Sequence, residues 1–154
     1  MTPLLDETDR KILNVLQQDG RLSNIDLAEK VNLSPSACLR RLHLLLQSEL
    51  VSGTHLVLNQ KAAGFPGTAY VFITLEGQER RQLDAFEARV KLIPQVQECY
   101  LLAGQADYLL RVVYNGAEDL ERLHSEELTR LPGIRRVQST LTLRMVKRTT
   151  QLPL

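Results

Sequence analysis

The chain has 154 residues, enough for one large domain or two small ones, and 44% of them are hydrophobic, as in ordinary folded soluble proteins. No apolar run approaches the ~20 residues of a membrane span, and MTPLLDETDR has acids where a secretory leader has basic residues and an apolar core. The net charge of +1 argues against a generally basic nucleic-acid-coating protein, and two distant cysteines, Cys38 and Cys99, against a disulfide framework or a zinc site. A cytoplasmic protein with reduced thiols and no resident cofactor is the resulting expectation.

Asp6 is a candidate cap for a first helix, whose apolar face is Ile12, Leu13, Val15 and Leu16 and which Asp19-Gly20 ends. A second helix follows Ser23, with Asp26 three residues on as in a capping box and Leu27, Ala28 and Val31 at helical spacing. Asn32-Leu33-Ser34 interrupts the pattern. Ser34 then caps a third helix with Pro35 in its first position, where no N–H is needed, and Leu39, Leu42 and Leu46 as the expected buried stripe. A short helix, a tight turn and a helix leading from small polar residues into arginines is the pattern of a DNA-binding helix-turn-helix. The candidate DNA contacts are Asn24, Ser34, Pro35, Ser36, Ala37, Arg40 and Arg41. Helix N-termini receive phosphate, and arginine serves both phosphate and guanine edges. Residues 1–60 hold six Lys/Arg against seven Asp/Glu, a net −1, so DNA affinity must come from the placement of these groups.

Beyond Ser48 the period changes from 3.6 to 2. Leu50, Val51, Leu56, Val57 and Leu58 around Ser52-Gly53-Thr54-His55 read as a small hairpin, and Asn59–Gly67, with Gly64 and Pro66, as a connector. From Ala69 the order is strand (Ala69–Leu75), helix (Arg80–Leu92), strand (Val96–Ala103), strand (Asp107–Tyr114), helix (Ala117–Leu131) and strand (Arg135–Met145). Pro94 and Pro132-Gly133 follow the two helices as stop signals. The fold class is α+β: a winged-type helix-turn-helix followed by a ferredoxin-like βαββαβ domain. YVFITL and YLLRVVY are apolar on both strand faces, whereas two helices cover one, so the other face is expected to join a second subunit. A two-fold dimer matches a palindromic operator.

These fragments together resemble the Lrp/AsnC, or feast/famine, family of transcription regulators. The resemblance rests on LDETDRKIL at Leu5–Leu13, LSPSACLRRL at Leu33–Leu42, Gly104-Gln105-Ala106-Asp107 before Tyr108-Leu109-Leu110, Leu131-Pro132-Gly133-Ile134, and the tail VKRTTQLPL. Leu46 and Glu49 stand where the family often has Glu and Gly. The resemblance implies a helix-turn-helix domain (1–50), a hairpin and linker (51–67), and a RAM/ACT-like domain (68–154) that dimerises through its sheet and binds an effector. It further implies assembly to octamers or larger rings and an amino acid, or related metabolite, held by Leu102, Gly104, Gln105, Ala106 and Asp107 with Ser139. The expected function is an amino-acid-responsive, nucleoid-associated regulator of transcription that acts on double-stranded DNA and is not an enzyme. The alternatives are a regulatory or scaffolding subunit that does not bind DNA, and an enzyme resembling sirohaem decarboxylases. Against the latter, His43, His55 and His124 form no catalytic constellation.

Overall fold

Helix α1 (Glu7–Gln18) begins where the Asp6 side chain accepts the Asp9 N–H at 2.7 Å, and it buries Ile12 and Leu13. Helix α2 (Asn24–Lys30) begins at Ser23, whose Oγ accepts the Asp26 N–H and donates to the Asp26 carboxylate at 2.6 Å. Asn32 adopts φ 55°, a left-handed position that Asn tolerates better than most residues, and turns the chain into α3 (Pro35–Gln47). Leu27, Ala28, Val31, Cys38 and Leu45 complete a small core with Ile12 and Leu13. Leu50 and Val51 pack at its margin.

The computed structural model describes residues 5–154; the first four residues of the expected 1–50 domain lie outside it. Two compact units emerge: the chain through Val57 together with Lys147–Leu154, and Leu58–Val146. The final eight residues therefore associate with the first unit, although the sequence reading grouped them with the second. There the Gln17 amide pairs with the backbone of Leu152, accepting its N–H at 2.6 Å and donating to its carbonyl at 3.1 Å.

Two expectations for the first unit are corrected. The stripe that α3 buries is Cys38 and Leu45, with Leu42 half-buried, whereas Leu39 and Leu46 are about half exposed. The face is rotated by one residue, because 38, 42 and 45 also keep helical spacing. The hairpin over Leu50–Leu58 is not formed: no strand lies between α3 and Gly67, so the described residues contain no strand wing. Leu50 and Val51 pack half-buried against the helical core instead, and two isolated strands are marginal without a face to pack on.

The second unit is a four-stranded antiparallel sheet, β1 (Gly67–Leu75), β2 (Val96–Leu101), β3 (Tyr108–Tyr114) and β4 (Ile134–Leu141), in spatial order β2-β3-β1-β4. The core joins Ala69, Val71, Ile73, Leu110 and Val112 to Phe86 and Val90 of α4 (Arg80–Val90) and to Leu123 and Leu128 beyond α5 (Ala117–Arg122). The last helix was expected to be α-helical to Leu131. Instead it widens into a π-helical stretch at Leu123–Leu128. Leucines five residues apart diverge on an α-helix, and the i→i+5 repeat brings both onto the sheet.

Candidate functional site

The exposed end of α3 is built by hydrogen bonds that its first residues make to themselves and to α2. Ser34 Oγ accepts the Ala37 N–H at 3.3 Å and lies 3.3 Å from Ser36 Oγ. Asn24 Nδ2 donates to the Pro35 carbonyl at 2.8 Å, so the second helix holds the start of the third. Ser34, Pro35, Ser36 and Arg40 are exposed, and Ala37 is half-buried. Ser36 and Arg40 lie four residues apart on one outward line, which His43 and Gln47 extend, joined by a 2.8 Å hydrogen bond. Gln47 carried no motif signal in the sequence; only the helix phase aligns it.

Arg41 differs from its neighbour. Its Nη1 donates to Asp6 Oδ2 at 2.7 Å and to Asp9 Oδ1 at 2.8 Å, and its side chain is only 30% exposed. It lies between Cys38 and Leu45 on the side of α3 that meets α1. The Asp9 N–H bond and then the Arg41 guanidinium hold the Asp6 carboxyl below the ordinary aspartate range. Cys38 is fully buried and burial pushes its thiol up, which suits a packing residue and disfavours the reactive thiolate.

The residues expected around an effector separate onto the two faces of the sheet. Leu102, Gln105 and Ala106 line a depression of about 330 Å³ with Phe72, Thr74, Arg136 and Gln138. Phe72 pairs with Gln138 and Thr74 with Arg136 across β1 and β4, and these side chains point away from the helices. Ser139 pairs with Val71 and points the other way. It lines a second depression, of about 390 Å³, with Ala117, Leu120, Glu121, His124 and Leu141. Neither Gly104 nor Asp107 lines either depression.

Asp107 is buried and stitches strand ends together. Oδ2 accepts the Leu75 N–H at 2.7 Å, Oδ1 accepts from Gln78 Nε2 at 2.6 Å, and the Asp107 N–H donates to the Ile73 carbonyl at 2.8 Å. Its carbonyl accepts the Leu102 N–H, closing the turn. Arg136, Gln138, Phe72 and Thr74 carry no signal in the sequence because they meet only through the β1–β4 register. Arg136 makes no salt bridge among the described residues and supplies the depression with a cation.

A helix-turn-helix joined to a four-stranded α+β unit with a small polar-and-apolar depression defines a two-domain transcription regulator. The AsnC-type helix-turn-helix model matches residues 5–46 and the Lrp/AsnC ligand-binding-domain model matches residues 68–152. The chain is 35% identical over 151 residues to the transcriptional regulator AzlB of Bacillus subtilis, covering 98% of this chain and 96% of that one. It is 36% identical over 148 residues to the leucine-responsive regulatory protein of Rhizobium meliloti, covering 96% and 95%. A transcriptional regulator of Neisseria meningitidis solved with L-methionine superposes with a TM-score of 0.92 at 35% identity, covering 97% of this chain and 96% of that one. A feast or famine regulatory protein of M. tuberculosis complexed with L-methionine gives 0.85 at 32% identity, covering 96% and 98%. The chain belongs to the Lrp/AsnC family of helix-turn-helix transcription regulators.

Proposed function

We propose that the protein binds a palindromic operator as a homodimer or larger ring of dimers, and that a free amino acid tunes this binding. On this reading the helix α3 enters the major groove. Ser34 and Ser36 with the first backbone N–H groups receive phosphate, Pro35 and Ala37 form the close contact surface, and Arg40 reaches a phosphate or base edge. Asn24 holds the helix start. The observation that carries the DNA reading is the exposed Ser34–Ser36–Arg40 line on a capped helix held by the preceding one. Such a regulator works in the cytoplasm on the nucleoid.

For the effector, the open-face depression offers what an amino acid needs. Arg136 suits a carboxylate, the carbonyls and side-chain amides of Gln105 and Gln138 suit an ammonium, and Phe72, Leu102 and Ala106 suit an apolar side chain. Gly104 gives the turn its small profile, and Asp107 anchors the turn from beneath. Ser139 serves such a ligand only from another copy, because it faces away from this depression within the chain. The effector regulates DNA binding by favouring one assembly over another, which requires unequal affinity for the two.

The deciding test is retardation of the promoter fragment of the protein's own gene, and of genomic fragments, at fixed salt with a panel of amino acids. Specific binding that changes with one amino acid supports both parts. Specific binding indifferent to the panel removes the effector, and no specific binding to any fragment removes the DNA reading.

A further inference from the structure

The two adjacent arginines of α3 look equivalent in the sequence, yet their environments differ. Arg40 is exposed, and no hydrogen bond or ion pair engages it among the described residues. Arg41 sits at the edge of the buried face and spends one nitrogen, Nη1, on two carboxylates of α1. One of these, Asp6, is also the cap of α1, so a single contact ties the start of the first helix to the middle of the recognition helix. The other, Asp9, has a side chain 19% exposed, with Arg41 its only side-chain partner among the described residues. Among the described residues, the side-chain hydrogen bonds between this end of α1 and α3 are those of Arg41, and the hydrophobic cluster supplies the rest of the packing.

We propose that Arg41 is a positioning residue: it fixes the azimuth of the recognition helix through Asp6 and Asp9 and does not itself touch DNA. This rests on the DNA reading above. A charge-assisted pair of hydrogen bonds at 2.7 and 2.8 Å is directional, whereas leucine packing is not. A small rotation of α3 would shift the Pro35–Ala37 contact surface against the base edges while leaving non-specific phosphate attraction nearly intact. Arg41 therefore governs specificity more than affinity, and Arg40 supplies the counterion-releasing contact.

The test uses the full-length protein and a duplex selected by it from a randomised library, with a scrambled duplex of equal composition as reference. Affinities are measured across a salt series at a temperature where each variant is folded by circular dichroism. Arg40→Gln should reduce the slope of log affinity against log salt by about 0.9, the contribution of one phosphate contact. Arg41→Gln should leave that slope unchanged and lower the selected-to-scrambled affinity ratio about tenfold, with Arg41→Lys restoring part of the ratio. Asp9→Asn should lower the ratio as Arg41→Gln does. A slope reduced by about 0.9 in Arg41→Gln, or tighter binding in Asp9→Asn with a steeper slope, makes Arg41 a DNA contact and overturns the assignment. An unchanged ratio in folded Arg41→Gln also overturns it, leaving a merely stabilising ion pair. If no duplex is enriched from the library, the DNA reading itself fails and the assignment falls with it.

Discussion

Asp107 shows how a buried carboxylate can hold the strand ends beside a depression without lining it. Both carboxylate oxygens accept hydrogen bonds from protein donors, and its backbone closes the turn at Leu102 and reaches Ile73. Replacement by Ala would leave the buried Leu75 N–H without its acceptor, a loss of about 1–3 kcal/mol. Asp107→Ala should therefore lower the denaturation midpoint of the second domain, whereas Arg136→Gln, at an exposed position, should leave stability unchanged and abolish binding of the effector's carboxylate. Chemical denaturation and calorimetric titration with the amino acid identified by the retardation assay separate the two. The sequence motif places a tight turn at Gly104–Asp107, whereas the separate contacts of its members come only from the fold. Gly104-Gln105-Ala106-Asp107 is contiguous in the chain, whereas the partners Arg136 and Gln138 arrive from a strand about thirty residues on, and only strand register reveals them. Ser139, next to Gln138 in the chain, pairs with Val71 and faces the other side of the sheet. On a strand a shift of one residue changes the face.

At the scale of elements, the helix starts were legible because they depend on local side-chain chemistry. Asp6, Ser23 and Ser34 each accept the N–H three residues on. Ser34→Ala should destabilise the first domain by about 1 kcal/mol and weaken DNA binding together, readable as a lower melting temperature and a retardation defect. Acid should act at α1. The carboxyl of Asp6 is held below the ordinary aspartate range in the folded state, so it stabilises the fold above that range and the contribution is lost as pH falls through its lowered value. The melting temperature should therefore fall on acidification below the ordinary aspartate range, and by less in Asp6→Asn. Elements that depend on tertiary partners were less legible. The period-2 run Leu50–Leu58 had strand character but no sheet to join, and the π-helical stretch at Leu123–Leu128 follows from where the sheet needs two leucines. The tail VKRTTQLPL contributes to the family resemblance but gives no sign of where it docks, since that docking uses the side-chain amide of Gln17 and the backbone of Leu152.

At the scale of the whole molecule, the open sheet face argues for self-association. One face of the sheet is covered by α4, α5 and the π-helical stretch; the other presents Tyr70, Phe72, Tyr100 and Leu109 around the Arg111–Glu98 ion pair, whose shortest contact is 2.8 Å. Tyr70, on an inner strand, and Tyr100, on the edge strand, are 37% and 51% exposed and form with Phe72 and Leu109 an apolar patch that another surface would cover. Pairing two copies through this face would bury those rings and bring two helix-turn-helix units to one operator, which couples assembly to DNA affinity through effective concentration. Placing a charge there should undo both at once. Leu109→Glu lies between Phe72 and Tyr100 on an inner strand, and Tyr100→Glu sits on the edge strand where the fold tolerates it better. In light scattering each variant should fall to the mass of a single chain at concentrations where the parent is a dimer or larger. Affinity for a full palindrome should then drop towards that for a half-site, while half-site affinity itself stays unchanged. A variant that keeps the parent's mass with its fold intact would move the interface elsewhere on the second domain. One that becomes monomeric yet binds the palindrome undiminished would detach dimerisation from operator recognition.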